Sequence, residues 1–249
     1  QRSHLSPWVQ GRFACIVIAE NAKSNKGGVF GCRLCFFMHA ARHNSAMSTR
    51  QAPPMSDLRR DLRHDLRQRR RDLAPAVRID AADQLATRLL TLPFAPERGH
   101  VGGYWAMDGE IALHRWQLTL PPTVTYCLPV LHGQVLRFAP WRPGQPLRQN
   151  RYGIPEPDLD VADTVDATVM DLVVTPLVGF DARGGRLGMG GGWYDRSFAF
   201  RHAQPAPPWL VGAAFAVQQV DALPIASWDV AVDAICTETD TLFTPHVTA

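Results

Sequence analysis

Residues 171–196 read DLVVTPLVGFDARGGRLGMGGGWYDR, and this stretch decides the fold. Leu172-Val173-Val174 is a continuous apolar run of the kind buried on both faces of a parallel sheet. A loop follows, then four glycines within five residues (Gly188, Gly190, Gly191, Gly192), then Trp193-Tyr194 at the head of a helix predicted over 193–202. Open α/β sheets bind ligands just beyond the carboxyl ends of their strands. Glycines permit backbone conformations closed to other residues and let amide N–H groups approach an anion closely. The positive end of the following helix adds to that field. Arg186 contributes a fork of charged donors. Strand, glycine cluster and helix together predict a phosphate cradle. The spacing matches neither the dinucleotide fingerprint nor the Walker loop, and a tight turn that needs glycine for its own geometry is the plainer alternative.

Outward from this stretch the pattern alternates. Ser56-Asp57 reads as a helix start, with Ser56 as cap. Leu58, Leu62, Leu66 and Leu73 continue at helical spacing, and Arg59, Arg60, Arg63, Arg67, Arg69, Arg70 and Arg71 fill much of the rest. Such a basic helix is either a solvated face or an anion-binding one. A second helix is predicted over 75–90, with Pro75 in its first turn, and a short third over 110–118. Strands are predicted over 101–105, 123–128, 135–139, within 167–175, over 209–215 and over 230–236, with 140–157 as loop. The alternation predicts a three-layer α/β/α fold with a mostly parallel, Rossmann-like sheet in a single domain.

The chain has 249 residues, 46% hydrophobic and 20% charged, with a net charge of +3. These values exclude disordered and fibrous classes. No apolar run approaches the ~18–20 residues of a membrane span. Charge is unevenly placed. Residues 1–54 hold seven Lys and Arg, including both lysines of the chain, against the single acid Glu20. The remainder uses arginine alone as its cation and is net acidic. We expect residues 1–54 to be an N-terminal extension, either disordered or a translation of DNA upstream of a true start at Met47 or Met55, and residues 55–249 to be the functional domain. Cys32, Cys35 and His39 make half a zinc site by spacing, for which only His43 or Cys15 offers a fourth ligand; zinc is the weaker reading.

The glycine stretch resembles the signature of the 5-formyltetrahydrofolate cyclo-ligase family, also called methenyltetrahydrofolate synthetase. That signature runs P-x-x-x-F-D-x-x-G-x-R-L-G-x-G-x-G-Y-Y-D. Pro176, Phe180, Asp181, Gly184, Arg186, Leu187, Gly188, Gly190, Gly192, Tyr194 and Asp195 stand in register, with Trp193 where Tyr is usual. Four further segments agree in order. Arg59, Leu62, Arg63, Arg67 and Arg69 match a basic first helix, Arg59 replacing the usual Lys. Asp108-Gly109-Glu110 resembles an acidic motif after the first strand, residues 152–157 (YGIPEP) an aromatic-G/N-I-P-x-P loop, and residues 228–233 (WDVAVD) a late D-x-x-x-D segment. The likeness covers about residues 56–240.

The resemblance implies an ATP-dependent closure of 5-formyltetrahydrofolate to 5,10-methenyltetrahydrofolate, with release of ADP and phosphate through phosphorylation of the formyl oxygen. Phosphoryl transfer chiefly needs positioning and charge neutralisation, which suits the residue types present. By carry-over, Arg59, Arg63, Arg186, Leu187, Gly188, Met189, Gly190, Gly191, Gly192, Trp193 and Tyr194 would bind ATP, with Arg186 catalytic. Trp105, Glu110, Tyr152 and the segment Met189, Gly190, Gly191, Gly192 and Trp193 would bind the folate. Asp195 and Asp229 would hold Mg²⁺. Position 191 is Gly where some members carry Lys, so another cation must serve the transferring phosphate. The implied partners are ATP and a reduced folate, without nucleic acid or membrane, in a monomeric cytoplasmic enzyme. Cys127 and Cys236 fall in predicted strands and read as buried free thiols, as a reducing compartment allows. His100, His114, His132 and His202 lack paired ligand spacing and read as packing or surface.

Two rival classes compete with this reading. A non-catalytic relative that binds folate or nucleotide is disfavoured because every charged motif position keeps an acid or a base. An RNA-binding protein built on the arginine helix is disfavoured because no aromatic stacking module accompanies it.

Overall fold

The computed structural model describes residues 54–245. The expectations for the leader, including the Cys32, Cys35 and His39 half-site with His43 or Cys15, lie outside the described residues. Helix α1 (Met55–Arg71) and helix α2 (Pro75–Leu90) come first, followed by strand β1 (Gly99–Gly102), helix α3 (His114–Thr119), and strands β2 (Val124–His132) and β3 (Val135–Pro140). A small hairpin, β4 (Leu147–Gln149) with β5 (Pro155–Pro157), precedes β6 (Leu172–Pro176). Then come β7 (Gly179–Asp181), β8 (Arg186–Leu187), helix α4 (Trp193–Ser197), β9 (Trp209–Ala213), β10 (Gln219–Val220), β11 (Ala234–Cys236) and β12 (Thr241–Phe243).

The main sheet has seven strands in the order β12-β11-β9-β6-β1-β2-β3. Its five inner strands are parallel, and β3 and β12 close the two edges antiparallel. Leu172 and Val174 enter one core cluster with Leu85, Leu89 and Trp116 of α2 and α3. Val173 enters the opposite cluster with Phe138, Leu210 and Phe198. Both faces of β6 are therefore covered, which is why its sequence is apolar without alternation. The expected three-layer, mostly parallel α/β architecture is borne out.

The chain leaves β1 for β2 on one side and returns to β6 on the other. The order of strands reverses between β1 and β6, and in such sheets the crevice at the reversal is the ligand site. A second sheet, β10-β7-β8, sits beyond the end of β6 and packs on α1 through Leu66, Val178, Leu187 and Leu223.

Local details differ from expectation. Helix α1 starts at Met55 with Pro54 as the flanking residue, so Ser56 lies inside the first turn and no side chain caps it. The strand expected over 101–105 spans Gly99–Gly102 instead. The helix expected over 110–118 starts at His114, because Met107 to Glu110 form a turn in which the Glu110 N–H reaches the Met107 carbonyl and the Met107 N–H reaches the Glu110 carboxylate. The loop expected over 140–157 contains the β4–β5 hairpin. The helix expected over 193–202 breaks at Phe198 and resumes as a 3₁₀ turn over Ala199–His202. The strand expected over 230–236 pairs only from Ala234, since the Val230 N–H is taken by the Asp195 carboxylate.

Candidate functional site

Helix α1 ties together the loops at the carboxyl ends of the strands. Arg59 donates from Nε to the Pro224 carbonyl at 2.8 Å and pairs through Nη2 with Asp229. One turn on, Arg63 donates from Nε to the Gly188 carbonyl at 2.8 Å. Further along, Arg67, Arg70 and Arg71 all pair with Asp108 in the loop that follows β1. Arg70 is completely buried, also donates to the Asp108 carbonyl at 3.0 Å, and lies 3.8 Å from the Glu110 carboxylate. Asp108 has a φ of +52°, an uncommon conformation that three guanidinium partners hold in place.

The glycine loop leaves β8 and enters α4. Gly190 and Gly192 have φ of +96° and +64°, which side-chain-bearing residues rarely adopt. Arg186 at its start is nearly buried, donating to the Asp195 carboxylate at 2.5 Å and to the Val230 carbonyl at 2.7 Å. Asp181 of the same motif lies fully buried at the β7 end, accepting the N–H groups of Arg183, Gly185 and Leu223 at 3.0, 3.0 and 2.9 Å. Burial alone would raise its pKa, but those N–H groups and the Arg183 guanidinium outweigh it and hold the carboxyl below its usual value. Its role in this geometry is to shape the loop.

These elements enclose a cavity of about 760 Å³. Every residue that the sequence marked for ATP, folate or metal lines it: Arg59, Arg63, Trp105, Glu110, Tyr152, the run from Arg186 to Tyr194, Asp195 and Asp229. Tyr152 stands 55% exposed on the β4–β5 hairpin, its loop shaped by Asn150, whose Oδ1 accepts the N–H groups of Tyr152 and Ile154. Its ring meets Trp193 edge-on at 6.3 Å, and the Arg151 guanidinium lies 5.2 Å from both ring centres. Trp105 meets Trp141 edge-on at 5.8 Å.

The electrostatics suit anionic ligands at one end and a hydrogen-bonding ring at the other. Burial first, then the neighbouring charge of Arg59, lowers the Arg63 pKa, with Asp229 acting the other way. Two close guanidiniums, partly withdrawn from water, attract an anion that offsets both costs. Burial raises the pKa of Glu110 against the opposing Met107 N–H and Arg70 charge. Burial, reinforced by Glu110, also raises the hydroxyls of Tyr104 and Tyr194, which stay neutral; Tyr104 donates to the Ile111 carbonyl at 2.6 Å.

Tyr104, Met107, Asn150, Ile154, Arg196, His202 and Trp228 also line the cavity, although sequence reasoning gave them no site role. Trp228 had one available signal, its position next to Asp229. Asn150 had another, since Asn commonly shapes the turn that presents the residues after it. Both carboxylates marked for metal lie in the cavity as ion-pair partners, Asp195 of Arg186 and Asp229 of Arg59. Among the described residues no three His, Cys, Asp or Glu gather as a metal cluster.

A mainly parallel sheet, a reversal of strand order and a cavity with a glycine cradle beside a polar aromatic end define an α/β enzyme that brings a phosphorylated ligand against a ring-bearing one. The family model described as the 5-formyltetrahydrofolate cyclo-ligase family matches residues 55–238, and the chain belongs to that family. The resemblance read from the motifs is thereby borne out. The 5-formyltetrahydrofolate cyclo-ligase of Escherichia coli K12 is 39% identical over 179 residues, covering 69% of this chain and 96% of that protein. The corresponding protein of Haemophilus influenzae is 35% identical over 176 residues, covering 69% and 93%. Among solved structures, Aquifex aeolicus 5,10-methenyltetrahydrofolate synthetase superposes with a TM-score of 0.65 at 26% identity, over 77% of this chain and 95% of that one. The Mycoplasma pneumoniae synthetase shares the fold, with a TM-score of 0.54 at 20% identity over 72% and 98%.

Proposed function

We propose that this chain uses ATP to close 5-formyltetrahydrofolate into 5,10-methenyltetrahydrofolate, releasing ADP and phosphate. The supporting observation is a cavity at the strand-order reversal, lined by each residue that the resemblance marks for ATP, folate or metal. In this reading residues 55–249 form the functional domain and act as a monomer in the cytoplasm.

A formamide oxygen is a poor leaving group. Attack of that oxygen on the γ-phosphorus of ATP forms an O–P bond and expels ADP. N10 of the folate then attacks the activated formyl carbon, the C–O bond breaks with its electron pair leaving on phosphate, and N10 gives up its proton. The protein positions the reactants and neutralises charge. Arg63 and the N–H groups of Gly188 to Gly192 receive the phosphates. Arg186, oriented by Asp195 and the Val230 carbonyl, is the cation nearest the start of that loop. Glu110 accepts the ring N–H groups of the pterin, which lies among Trp105, Tyr152 and Trp193, while Met189 to Trp193 separate the two ligands.

Mg²⁺ fits one carboxylate better than two. Asp195 Oδ2 accepts no hydrogen bond among the described residues, whereas Asp229 is engaged by Arg59 and by the Ala226 N–H. Mg²⁺ usually takes one or two carboxylates and completes its shell with phosphate oxygens and water, where it neutralises phosphate charge. Asp195 would hold it, and Asp229 stays the partner of Arg59.

The direct test is to incubate the protein with ATP, Mg²⁺ and 5-formyltetrahydrofolate and follow methenyltetrahydrofolate absorbance; no product above background overturns the reading. Asp195→Asn should lower turnover by about a hundredfold and raise the Mg²⁺ concentration needed for half-maximal rate. An unchanged Mg²⁺ dependence would remove Asp195 as ligand and leave it as the residue that orients Arg186.

A further inference from the structure

Among the described tryptophans, Trp228 is the one whose ring meets no other aromatic ring. It stands 68% exposed at the wall of the cavity. The chain on either side of it is nonetheless anchored. Asp181 accepts the Leu223 N–H, Arg59 holds Pro224 and Asp229, Asp229 accepts the Ala226 N–H at 2.8 Å, and Asp195 accepts the Val230 N–H at 3.2 Å. A rigidly presented, unpartnered indole beside cationic groups is an aromatic surface awaiting a flat ring.

Helix α1 decides which ring. Its arginine tethers set three loops in order along one axis: the Trp228 loop at Arg59, the glycine loop at Arg63, and the Glu110 loop at Arg67, Arg70 and Arg71. At about 1.5 Å rise per residue, successive tethers lie roughly 6 Å apart. The phosphate-type loop is thus in the middle, with one aromatic end beside Glu110 and Trp105 and the other at Trp228. A nucleotide whose phosphates lie in the middle and whose reacting end faces the folate must send its base the opposite way.

We propose that Trp228 is the stacking platform for the base of the nucleotide. This rests on reading the cavity as an ATP and folate site. The phosphates are then gripped by backbone and arginine, and the base by a π face, so that affinity for the whole nucleotide exceeds that for its polyphosphate alone. Stacking tolerates every base because each has a π face, so Trp228 supplies affinity more than choice of base.

The test is calorimetric titration without folate, using ATP and inorganic tripolyphosphate as separate ligands, on the wild-type chain, Trp228→Ala and Trp228→Phe. Trp228→Ala should weaken ATP about tenfold while tripolyphosphate stays within about twofold, and Trp228→Phe should retain ATP affinity within about threefold. ATP binding unchanged in Trp228→Ala overturns the proposal. So does an equal loss for tripolyphosphate, which would trace the effect to the loop rather than to the ring. A wild-type chain that binds ATP through Trp228 but forms no methenyltetrahydrofolate would keep this inference and remove the proposed reaction.

Discussion

Gly190 shows how single residues carry the site. Its φ of +96° is closed to most side chains, and a Cβ there would come to 3.4 Å from the Arg63 guanidinium. Gly192 is tighter, with Arg196 Nη1 2.7 Å from where a Cβ would stand. These positions answer to backbone geometry and ligand approach together. Gly190→Ala is expected to cost about 1–2 kcal/mol of stability from its left-handed backbone. Its larger effect should be on the nucleotide, with the KM for ATP rising more than the KM for the folate; steady-state kinetics with each substrate varied in turn checks this. Asp181 belongs at the same scale and corrects a natural assumption. A buried acid in a signature motif reads as chemistry, yet its oxygens are spent on the N–H groups of its own loop and of Leu223.

Helix α1 is the element that organises the cavity. Its arginine run was legible, and so were its local pairs, Asp57 with Arg60 and Asp65 with Arg69. Both are exposed and contribute little. The pairs that matter reach from α1 to Asp108, Gly188 and Asp229, 37 to 170 residues away in the chain, and no local pattern announces them. Asp108 is the focus of three of them. Burial alone would raise its pKa, but the hydrogen bonds from Arg67 and Arg71 and the charge of Arg70 bring it down from 3.8 to about 2. The stability this contributes is present above the ordinary carboxylate pKa and is lost as pH falls through 4 towards about 2. Asp108→Ala should cost about 3 kcal/mol, because Arg70 keeps its buried charge and loses its nearest carboxylate. Urea unfolding at pH 6 and pH 3 measures both effects: the variant should start lower and lose less on acidification. The β4–β5 hairpin is the opposite case, an element the sequence hid. Pro155 and Pro157 interrupt any strand pattern, and they are tolerated because the hairpin is a two-stranded edge.

At the scale of the whole molecule, the main sheet lies between two apolar clusters, one on each face. Cys127 and Cys236 lie buried in β2 and β11. Burial pushes their thiols up to about 12 and about 11, against a Thr241 hydrogen bond in the case of Cys236. Thiols so raised form little thiolate. The folded protein should therefore leave Cys127 and Cys236 unmodified by iodoacetamide at pH 8, and urea should expose both; peptide mapping that reads each site separately decides it. No helix of the described residues is long and apolar enough to cross a membrane. Arg59, Arg63 and Arg186 turn onto loops and carboxylates around the cavity, whereas Arg60, Arg69 and Arg115 stand on the surface.

The sequence by itself determined the parallel α/β architecture, because Leu172-Val173-Val174 admits burial on both faces, and it determined the residue set of the cavity, because glycine, arginine and carboxylate recur there in a family-specific order. Tertiary structure alone decided how that set is used. Whether an arginine meets solvent, a carbonyl or an acid depends on which distant loop is folded against it, so Arg70 became a buried clamp while Arg63 came to line the cavity. It also decided the direction of the site, since the order of Trp228, the glycine loop and Glu110 along α1 exists only once strands far apart in the chain lie side by side.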